Sequence, residues 1–161
     1  MSSDLERMQL AGPQRSDALR RFHQQLAEWG LKMPDVEPLV LDFGLGDFDR
    51  IGLIECWLAN EIQAGYCGKY LFVFDGQQCP VHNHVQKHET FFVVKGRLGM
   101  TVDNRCRTMQ EGDLLAMPAG WVHSFTGVGN ALILEVSTPC LPDDNRFHDP
   151  RIDALRKRGA S

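Results

Sequence analysis

The sequence lacks several features that whole classes of protein need. No apolar run approaches the roughly 20 residues of a membrane-spanning helix, so we expect no membrane span. Lys and Arg number 17 against 21 Asp and Glu, and the net charge of −4 argues against a nucleic-acid or anionic-membrane partner. The opening segment MSSDLERMQL contains acidic residues and no apolar stretch, so we expect no signal peptide and a cytoplasmic location.

Cysteine is present, but not in a pattern that a disulfide framework or a structural zinc site would need. The chain has five cysteines, an odd number, and no two of them form a C-x-x-C pair. We therefore expect reduced cysteines, as in cytoplasmic proteins. Cys79 lies three residues before His82 and could border a site there, although packing is the more ordinary role for it.

The first part of the chain indicates a single helix. Residues 1–15 are polar and predict a loose arm. Ser16 is a typical N-cap residue, and the apolar residues that follow it recur at helical spacing as far as Trp29. Gly30 ends the pattern. The spacing predicts an amphipathic helix over 17–29.

From residue 38 onward the pattern changes to short apolar runs separated by turn residues, which is typical of an all-β sandwich or barrel. Asp103-Asn104 suits a hairpin tip. At 161 residues the chain is most simply one domain, with an N-terminal arm and helix at 1–37, a barrel at 38–152 and a polar tail at 153–161. The eight runs are PLVLDF, IGLIECWL, KYLFVF, TFFVVK, RLGMTV, DLLAMP, WVHSF and ALILEVS.

Two segments carry a set of residues suited to a metal ion. The first, GQQCPVHNHVQKHETFFVVKG, contains His82 and His84, which point the same way if they lie on a strand. Glu89 follows five residues later, and the second segment, GDLLAMPAGWVHSF, supplies His123. Three neutral imidazoles and one carboxylate suit Mn, Fe, Ni or Zn better than Ca or Mg.

The surroundings of these residues allow two further expectations. His88 is adjacent to Glu89, so it should point to the opposite face of a strand, and it is the alternative ligand to Glu89. Trp121 and Phe125 share a face with His123 on their predicted strand. If that face is inward, the metal lies in an apolar, aromatic pocket of low dielectric, which strengthens its pull on a bound oxygen.

The spacing of the two segments, G-x5-H-x-H-x4-E-x6-G and G-x5-P-x-G-x2-H, resembles the two cupin motifs. The resemblance implies a double-stranded β-helix barrel, or jelly roll, with the metal in its lumen. Together with the predicted helix, the expected fold is an all-β cupin barrel with an N-terminal α-helix. The second motif often continues to an Asn, where this chain has Gly127, a position that carries no ligand.

A larger part of the chain, from about Leu41 to Ile152, resembles the short D-lyxose isomerases, which are metal-dependent cupin sugar isomerases. The resemblance implies that an aldose and a ketose are interconverted through a cis-enediol, as in D-lyxose with D-xylulose or D-mannose with D-fructose. The matching segments are DFGLGDFDRIGL, GYCGKYLFVFDGQQCPVHNH, K-x-E-T-F at Lys87–Phe91, LEVSTP and DNRFHDPRI.

The resemblance also implies roles for particular residues. A divalent ion, with Mn foremost and Zn, Fe, Ni or Co as alternatives, would be held by His82, His84, Glu89 and His123. Lys87 matches the lysine of the K-x-E pattern and could stabilise the enediolate or shuttle the proton between the sugar oxygens.

The general base is less sharply defined by the sequence. Glu135 lies in the apolar run ALILEVS, where burial would raise its affinity for a proton. Its structural alternative is a pair with Arg146 or Arg151. The next candidates lie in the polar segment that could cover the barrel mouth, and a surface or capping role is the default for each of them. They are Asp143, Asp144, Asp149 and Arg151.

Two other functions fit the same motifs. One is an Fe(II)-dependent dioxygenase, although thiol dioxygenase cupins usually lack the carboxylate that Glu89 supplies. The other is a non-catalytic cupin that binds a metal or a sugar. The short connection from Gly96 to Gly112 and the basic end LRKRGAS depart from related isomerases, so a phosphorylated or nucleotide-linked sugar stays open.

A homodimer is also expected by resemblance, because small cupins often pair through N-terminal strands. The apolar run IGLIECWL would suit an interface or a sheet edge that must be covered.

Overall fold

The computed structural model describes residues 7–141 and 143–157, and in these residues β-strands predominate. Helix α1 precedes the strands and helix α2 follows them. The bounds are α1 Gly12–Glu28, β1 Leu39–Leu41, β2 Leu53–Glu61, β3 Tyr66–Val73, β4 Gln78–His84, β5 Glu89–Lys95, β6 Arg97–Val102, β7 Arg105–Gln110, β8 Leu114–Met117, β9 His123–Gly127, β10 Ala131–Ser137, β11 Asn145–Phe147 and α2 Pro150–Lys157.

The strands form two antiparallel sheets that face each other. One sheet has the order β1-β2-β3-β10-β5-β8 and the other has the order β11-β4-β9-β6-β7. Several strands adjacent in these sheets are distant in the sequence, as the pairing of β3 with β10 and of β4 with β9 illustrates. The predicted all-β jelly-roll barrel with an N-terminal helix is therefore confirmed.

All eight apolar runs form strands, and three strands were not predicted from them. These are β4, β7 and β11, whose residues are mainly polar because one face of each strand meets solvent or a polar cavity. The predicted hairpin tip is confirmed. Val102 pairs with Arg105, and Asp103 and Asn104 between them have φ of 46° and 64°, as a two-residue type I′ turn requires.

The space between the sheets is filled at one end by apolar side chains that alternate along the strands. Val93, Leu98, Met100 and Ile133 are fully buried there. Since each buried side chain of this size stabilises the fold by about 1.5–3 kcal/mol, this end of the barrel supports the more polar end.

Helix α1 packs against the outer face of the first sheet. Its residues Phe22 and Leu26 are buried against Phe72 of β3 and Leu132 of β10. The rings of Phe22 and Phe72 meet edge to face with centroids 5.0 Å apart. This contact covers apolar surface that the barrel would otherwise expose.

The predicted start of the helix is wrong. The helix begins at Gly12, with Pro13 in its first turn, where the fixed φ of proline is favourable and its missing N–H is not needed. Ala11 is the N-cap residue, and the hydroxyl of Ser16 donates to the carbonyl of Gly12 instead of capping the helix. The observed C-cap, Trp29, agrees with the predicted end.

The predicted loose arm is also wrong over its described part. The backbone N–H of Leu10 donates to the carbonyl of Val40 at 2.8 Å, and the N–H of Asp42 donates to the carbonyl of Met8 at 3.0 Å. Met8 and Leu10 are buried, so burial of two apolar side chains holds the segment against β1. Residues 1–6 lie outside the described residues.

The run IGLIECWL is at a sheet edge only in part, because β1 covers it at Leu53–Glu55, and its predicted role in an interface stays a prediction. It forms β2, which pairs with β1 on one side and with β3 on the other. Neither described helix is long and apolar enough to cross a membrane. The division at residues 37 and 152 stays a prediction; α2 runs across the second of these positions.

Candidate functional site

Three histidines converge inside the barrel. Alternation along β4 turns His82 and His84 inward, and the register pairs His82 with His123 at the start of β9. One nitrogen from each ring lies within 4.8 Å of the others. The rings of His82 and His123 have centroids 4.3 Å apart. The three side chains are almost completely buried.

Glu89 reaches this cluster from the opposite sheet. As the first residue of β5 it points inward, with its Oε1 3.1 Å from Nε2 of His84 and its Oε2 3.3 Å from Nε2 of His123. His88 is exposed, and its backbone N–H donates to Thr138 Oγ1. The structure therefore brings together the four predicted ligands, while the side chain of His88 lies outside the cluster.

The hydrogen bonds of the rings indicate which nitrogens are free to bind a cation. Nδ1 of His82 is 2.8 Å from the carbonyl of Pro80, and Nδ1 of His123 is 3.0 Å from the carbonyl of Trp121. A carbonyl only accepts, so each Nδ1 carries a proton, and in the neutral ring each Nε2 keeps a lone pair. This second contact is how proteins orient an imidazole toward a metal.

Nε2 of His123 faces a second acceptor atom, Oε2 of Glu89. Nε2 of His123 and Oε2 of Glu89 are buried and have no hydrogen-bond partner. Burial, and then the neighbouring His123 and His84, hold the pKa of His82 well below its usual value, so this ring is neutral. Two buried acceptors in contact are unfavourable unless a cation lies between them, and a divalent ion fits this donor set.

Lys87 and Glu135 lie next to the cluster. Nζ of Lys87 donates to Oε1 of Glu89 at 2.8 Å and to Oε1 of Glu135, and all three side chains are buried. Burial and the nearby Lys69 ammonium oppose the charge on Lys87, but Glu135 and Glu89 outweigh them, so the pKa of Lys87 is raised. Lys87 is therefore an ammonium group at neutral pH.

The suggested pairing of Glu135 with an arginine is wrong. Arg146 donates to the carbonyls of Asp143 and Asn145, and Arg151 pairs with Asp149, all at the exposed end of the chain. Strand β10 lies between β3 and β5, and its carboxylate Glu135 points inward. Glu135 therefore contacts Lys69 and Lys87.

Asp144 has the capping role that is the default for an acid in this segment. Its carboxylate accepts the backbone N–H groups of Gln86 and Lys87 at 2.8 and 3.0 Å. Its Oδ2 is also 3.7 Å from Nδ1 of His84. Asp144 therefore fixes the loop between β4 and β5 and lies behind the histidine cluster.

Three residues of the site were missed by the sequence reasoning. Nζ of Lys69 lies 3.2 Å from Oε1 of Glu55 and 3.5 Å from Oε2 of Glu135. Nε1 of Trp57 donates to Oε2 of Glu55 at 2.7 Å. Burial opposes the charge on Lys69, but Glu135 and Glu55 raise its pKa well above the usual value. The sequence signal that could have found them is a charged residue in an apolar run: Lys69 in KYLFVF and Glu55 in IGLIECWL.

These groups border a cavity of about 570 Å³. Leu41, Leu53, Leu71 and the aromatic rings of Phe91, Phe125 and Phe147 form its apolar walls, so the predicted aromatic pocket is present. Its polar lining includes the side chains of His82, His84, Glu89, Glu55, Lys69 and Glu135, and Met8, Gln9, Glu37 and Leu39 contribute further wall.

Two other expectations about the pocket have different outcomes. Trp121 is 44% exposed, so its predicted place on the inward face is wrong. It lies before β9 in a turn, where its own backbone N–H donates to the carbonyl of Pro118. Cys79 does line the cavity. Burial raises the pKa of its thiol, so it behaves as a packed, protonated side chain.

The sequence comparison identifies the barrel. Residues 72–137, which include β4, β5 and β9, match the model of the cupin domain. Over these residues the fold is that of the cupin domain. The first of the two motif segments supplies His82, His84 and Glu89, and the second supplies His123.

Two relatives of this chain are named as sugar isomerases. It is 29% identical over 144 residues to the D-lyxose/D-mannose isomerase of Thermosediminibacter oceani, and the match covers 72% of this chain and 78% of that one. It is 28% identical over 145 residues to the D-lyxose ketol-isomerase of a Thermofilum species, with 72% and 79% covered.

A solved structure resembles this chain over almost its whole length. The L-ribose isomerase of Cellulomonas parahominis superposes with a TM-score of 0.73 at 16% identity, and the match covers 93% of this chain and 97% of that one. At this identity the likeness concerns the fold, including the helix and the segments outside residues 72–137.

Proposed function

We propose that this cupin is a metal-dependent aldose–ketose isomerase that acts on a small sugar of the D-lyxose or D-mannose type. The observation that carries the proposal is Glu135, a buried carboxylate held between two ammonium groups beside the cluster of three histidines and Glu89. The relatives named as D-lyxose isomerases support the reaction class.

Aldose–ketose isomerisation moves one proton between C1 and C2 of the sugar and another between O1 and O2. Glu135 is the general base in this proposal: it takes the proton from C2, which leaves the cis-enediolate, and returns it to C1, while the proton on O2 passes to O1. The carboxylate lines the cavity, and its orientation is fixed by Lys87 and by Ser137 Oγ, which donates to Oε1 at 3.1 Å.

Lys87 acts as a fixed positive charge in this mechanism. Its ammonium lies behind Glu135 and Glu89, so it holds both carboxylates in place and stabilises negative charge that develops on the enediolate. Because its pKa is raised, it stays charged through the reaction.

His82, His84, Glu89 and His123 are the proposed metal ligands. A bound divalent cation would supply a Lewis acid for the sugar oxygens. Manganese is the proposed ion, with Zn, Fe, Ni or Co as alternatives, because imidazole and carboxylate ligands serve all of them. The apolar walls exclude water from the reacting carbons.

The test is conversion of free sugars by protein that has been stripped with a chelator and then supplied with Mn. D-Lyxose, D-mannose and D-xylulose are the first substrates, and conversion restored by Mn is the expected result. The same rate without oxygen separates isomerisation from an Fe(II)-dependent dioxygenase. No conversion of any free sugar, with metal measured in the protein, would overturn the proposal.

Two accompanying proposals concern the protein as a whole. We propose a homodimer, for which light scattering should give about twice the chain mass of 18.2 kDa. A mass of one chain would exclude it. We also propose a cytoplasmic location, in keeping with five cysteines that are all free.

A further inference from the structure

A second polar group lines the cavity beside the proposed catalytic one. Glu55 on β2 and Lys69 on β3 both point into the lumen, and the register places Lys69 directly next to Glu135. Each side chain is only 9% exposed. Lys69 therefore lies beside Glu135, on the side away from the histidine cluster.

The position of the Lys69 ammonium is tightly defined. Both oxygens of Glu55 are engaged, one by Nε1 of Trp57 at 2.7 Å and the other by Nζ of Lys69 at 3.2 Å. Nζ of Lys69 also lies 3.5 Å from Oε2 of Glu135. An ammonium has three donors, and these carboxylates account for two of them. Trp57 also borders the cavity, with its ring 5.2 Å from Nζ.

Stability of the barrel does not by itself explain this charged pair. Leu53 and Leu71 are the inward neighbours of Glu55 and Lys69 on the same strands, and both are apolar and buried. Burying a pair of charges is expensive, and apolar residues of similar volume usually serve a core at least as well. A fixed, buried ammonium at the wall of a cavity is instead the kind of group that recognises a polar ligand.

We propose that Lys69, held by Glu55 and Trp57, binds a sugar hydroxyl beyond the two reacting carbons and thereby selects the substrate. The inference rests on the proposed function for the place of C1 and C2 next to Glu135. The hydroxyl at C3 or C4 then meets the neighbouring ammonium, and the ring of Trp57 offers an apolar surface to the C–H side of the sugar. Glu55 is a positioning residue that acts through Lys69.

The test combines a double variant with substrate analogues. The variant Lys69→Met with Glu55→Gln removes both charges, so no lone charge stays buried, and the glutamine oxygen still accepts the Trp57 N–H. The matched control is Lys95→Met with Glu111→Gln, an exposed lysine–glutamate pair that makes a 3.1 Å contact outside the cavity. Both proteins are loaded with Mn and their thermal unfolding is compared with that of the wild type.

Binding is measured by calorimetry with D-mannose and with its 3-deoxy and 4-deoxy analogues, and KM and kcat are measured in parallel. We expect the cavity variant to bind D-mannose about 10- to 100-fold more weakly, as loss of a hydrogen bond to a charged group predicts. The analogue that lacks the contacted hydroxyl should bind wild type and variant equally. The control variant should match the wild type with all three sugars.

The outcomes separate the inference from the proposed function. An equal loss of affinity for D-mannose and both analogues, or no loss at all, would overturn the role of Lys69 even if the sugar is isomerised. Hydroxyl-dependent binding without any isomerisation would support Lys69 and overturn the proposed function. No binding of any of the sugars would overturn both.

Discussion

Nζ of Lys87 joins the carboxylates of Glu135 and Glu89, so the proposed general base and a proposed metal ligand share one buried ammonium group. Lys69 meets the other oxygen of Glu135, at 3.5 Å. Glu135 is therefore fixed from both sides, and the reactive carboxylate and the histidine cluster form one rigid unit that bridges the two sheets.

The first prediction concerns Glu135. Glu135→Gln keeps the shape of the side chain but removes the base, so kcat should fall by about 100- to 10,000-fold. Sugar binding by calorimetry and Mn content by mass spectrometry should be retained. Glu111→Gln, at an exposed glutamate, is the control. A Glu135→Gln protein with wild-type turnover would remove this residue from the mechanism.

The second prediction concerns Lys87. Lys87→Met leaves Glu135 without one of its two ammonium partners, so kcat should fall at least about 100-fold. The metal should stay bound, because Lys87 touches Glu89 from outside the cluster. Turnover and metal content measured on the same preparation test the prediction. Unchanged turnover, or loss of the metal as the only defect, would contradict the proposed role.

The third prediction concerns the metal ligands. A metal that binds only the folded protein stabilises it by about 2.7 kcal/mol at 100 times its dissociation constant. Mn should therefore raise the unfolding temperature of chelated wild type but not of His82→Ala. The neighbouring His88→Ala is the control, because His88 is exposed and outside the cluster. If His88→Ala loses the shift and His82→Ala keeps it, the ligand assignment is wrong.

The fourth prediction concerns the cysteines. Burial, and then the charge on Glu55, raise the pKa of Cys56 from 9.0 to about 11. The folded state therefore retains the thiol proton at a pH where the unfolded state loses it, so this group's contribution to stability is full below pH 9 and decreases as the pH rises toward 11. At pH 8 a thiol reagent should modify the exposed Cys106 at once and Cys56 only after unfolding. Rapid modification of Cys56 in the folded protein would contradict this.

The fifth prediction concerns helix α1. Phe22→Ala should lower the free energy of unfolding by about 3–5 kcal/mol, because the ring is buried against Phe72. Gln24→Ala on the exposed face of the helix should change it by less than about 0.5 kcal/mol. Urea unfolding of both variants measures the difference. Equal stabilities would mean that the helix is not part of the cooperative fold.

The proposed ligands could be predicted from the sequence because the motif spacing encodes local geometry. His82 and His84 share a face by strand alternation, whereas Lys87 lies in the loop before β5 and is held there by Asp144. The buried position of Glu135 was visible as a charge within an apolar run. In each case a short segment contained the information.

The features that were missed depend on which distant strands become neighbours. Nothing near Lys69 and Glu55 in the sequence marks them as site residues. They join the site only because β3 pairs with β10 and β2 pairs with β3. The same reason explains why lysines, and not Arg146, pair with Glu135. The early start of α1 depends on Pro13, which is favourable in a first turn, whereas the sequence pattern indicates an arm at residues 1–15 and an N-cap at Ser16.

The most direct test of the central claim is proton NMR of D-mannose in D₂O with chelated protein before and after Mn is added. We expect Mn to restore formation of D-fructose by the wild type, and the Glu135→Gln variant to form none. We also expect exchange of the C2 proton of D-mannose for deuterium where the abstracted proton equilibrates with solvent. Metal-loaded wild type that binds the sugar but yields neither ketose nor exchange would contradict the account.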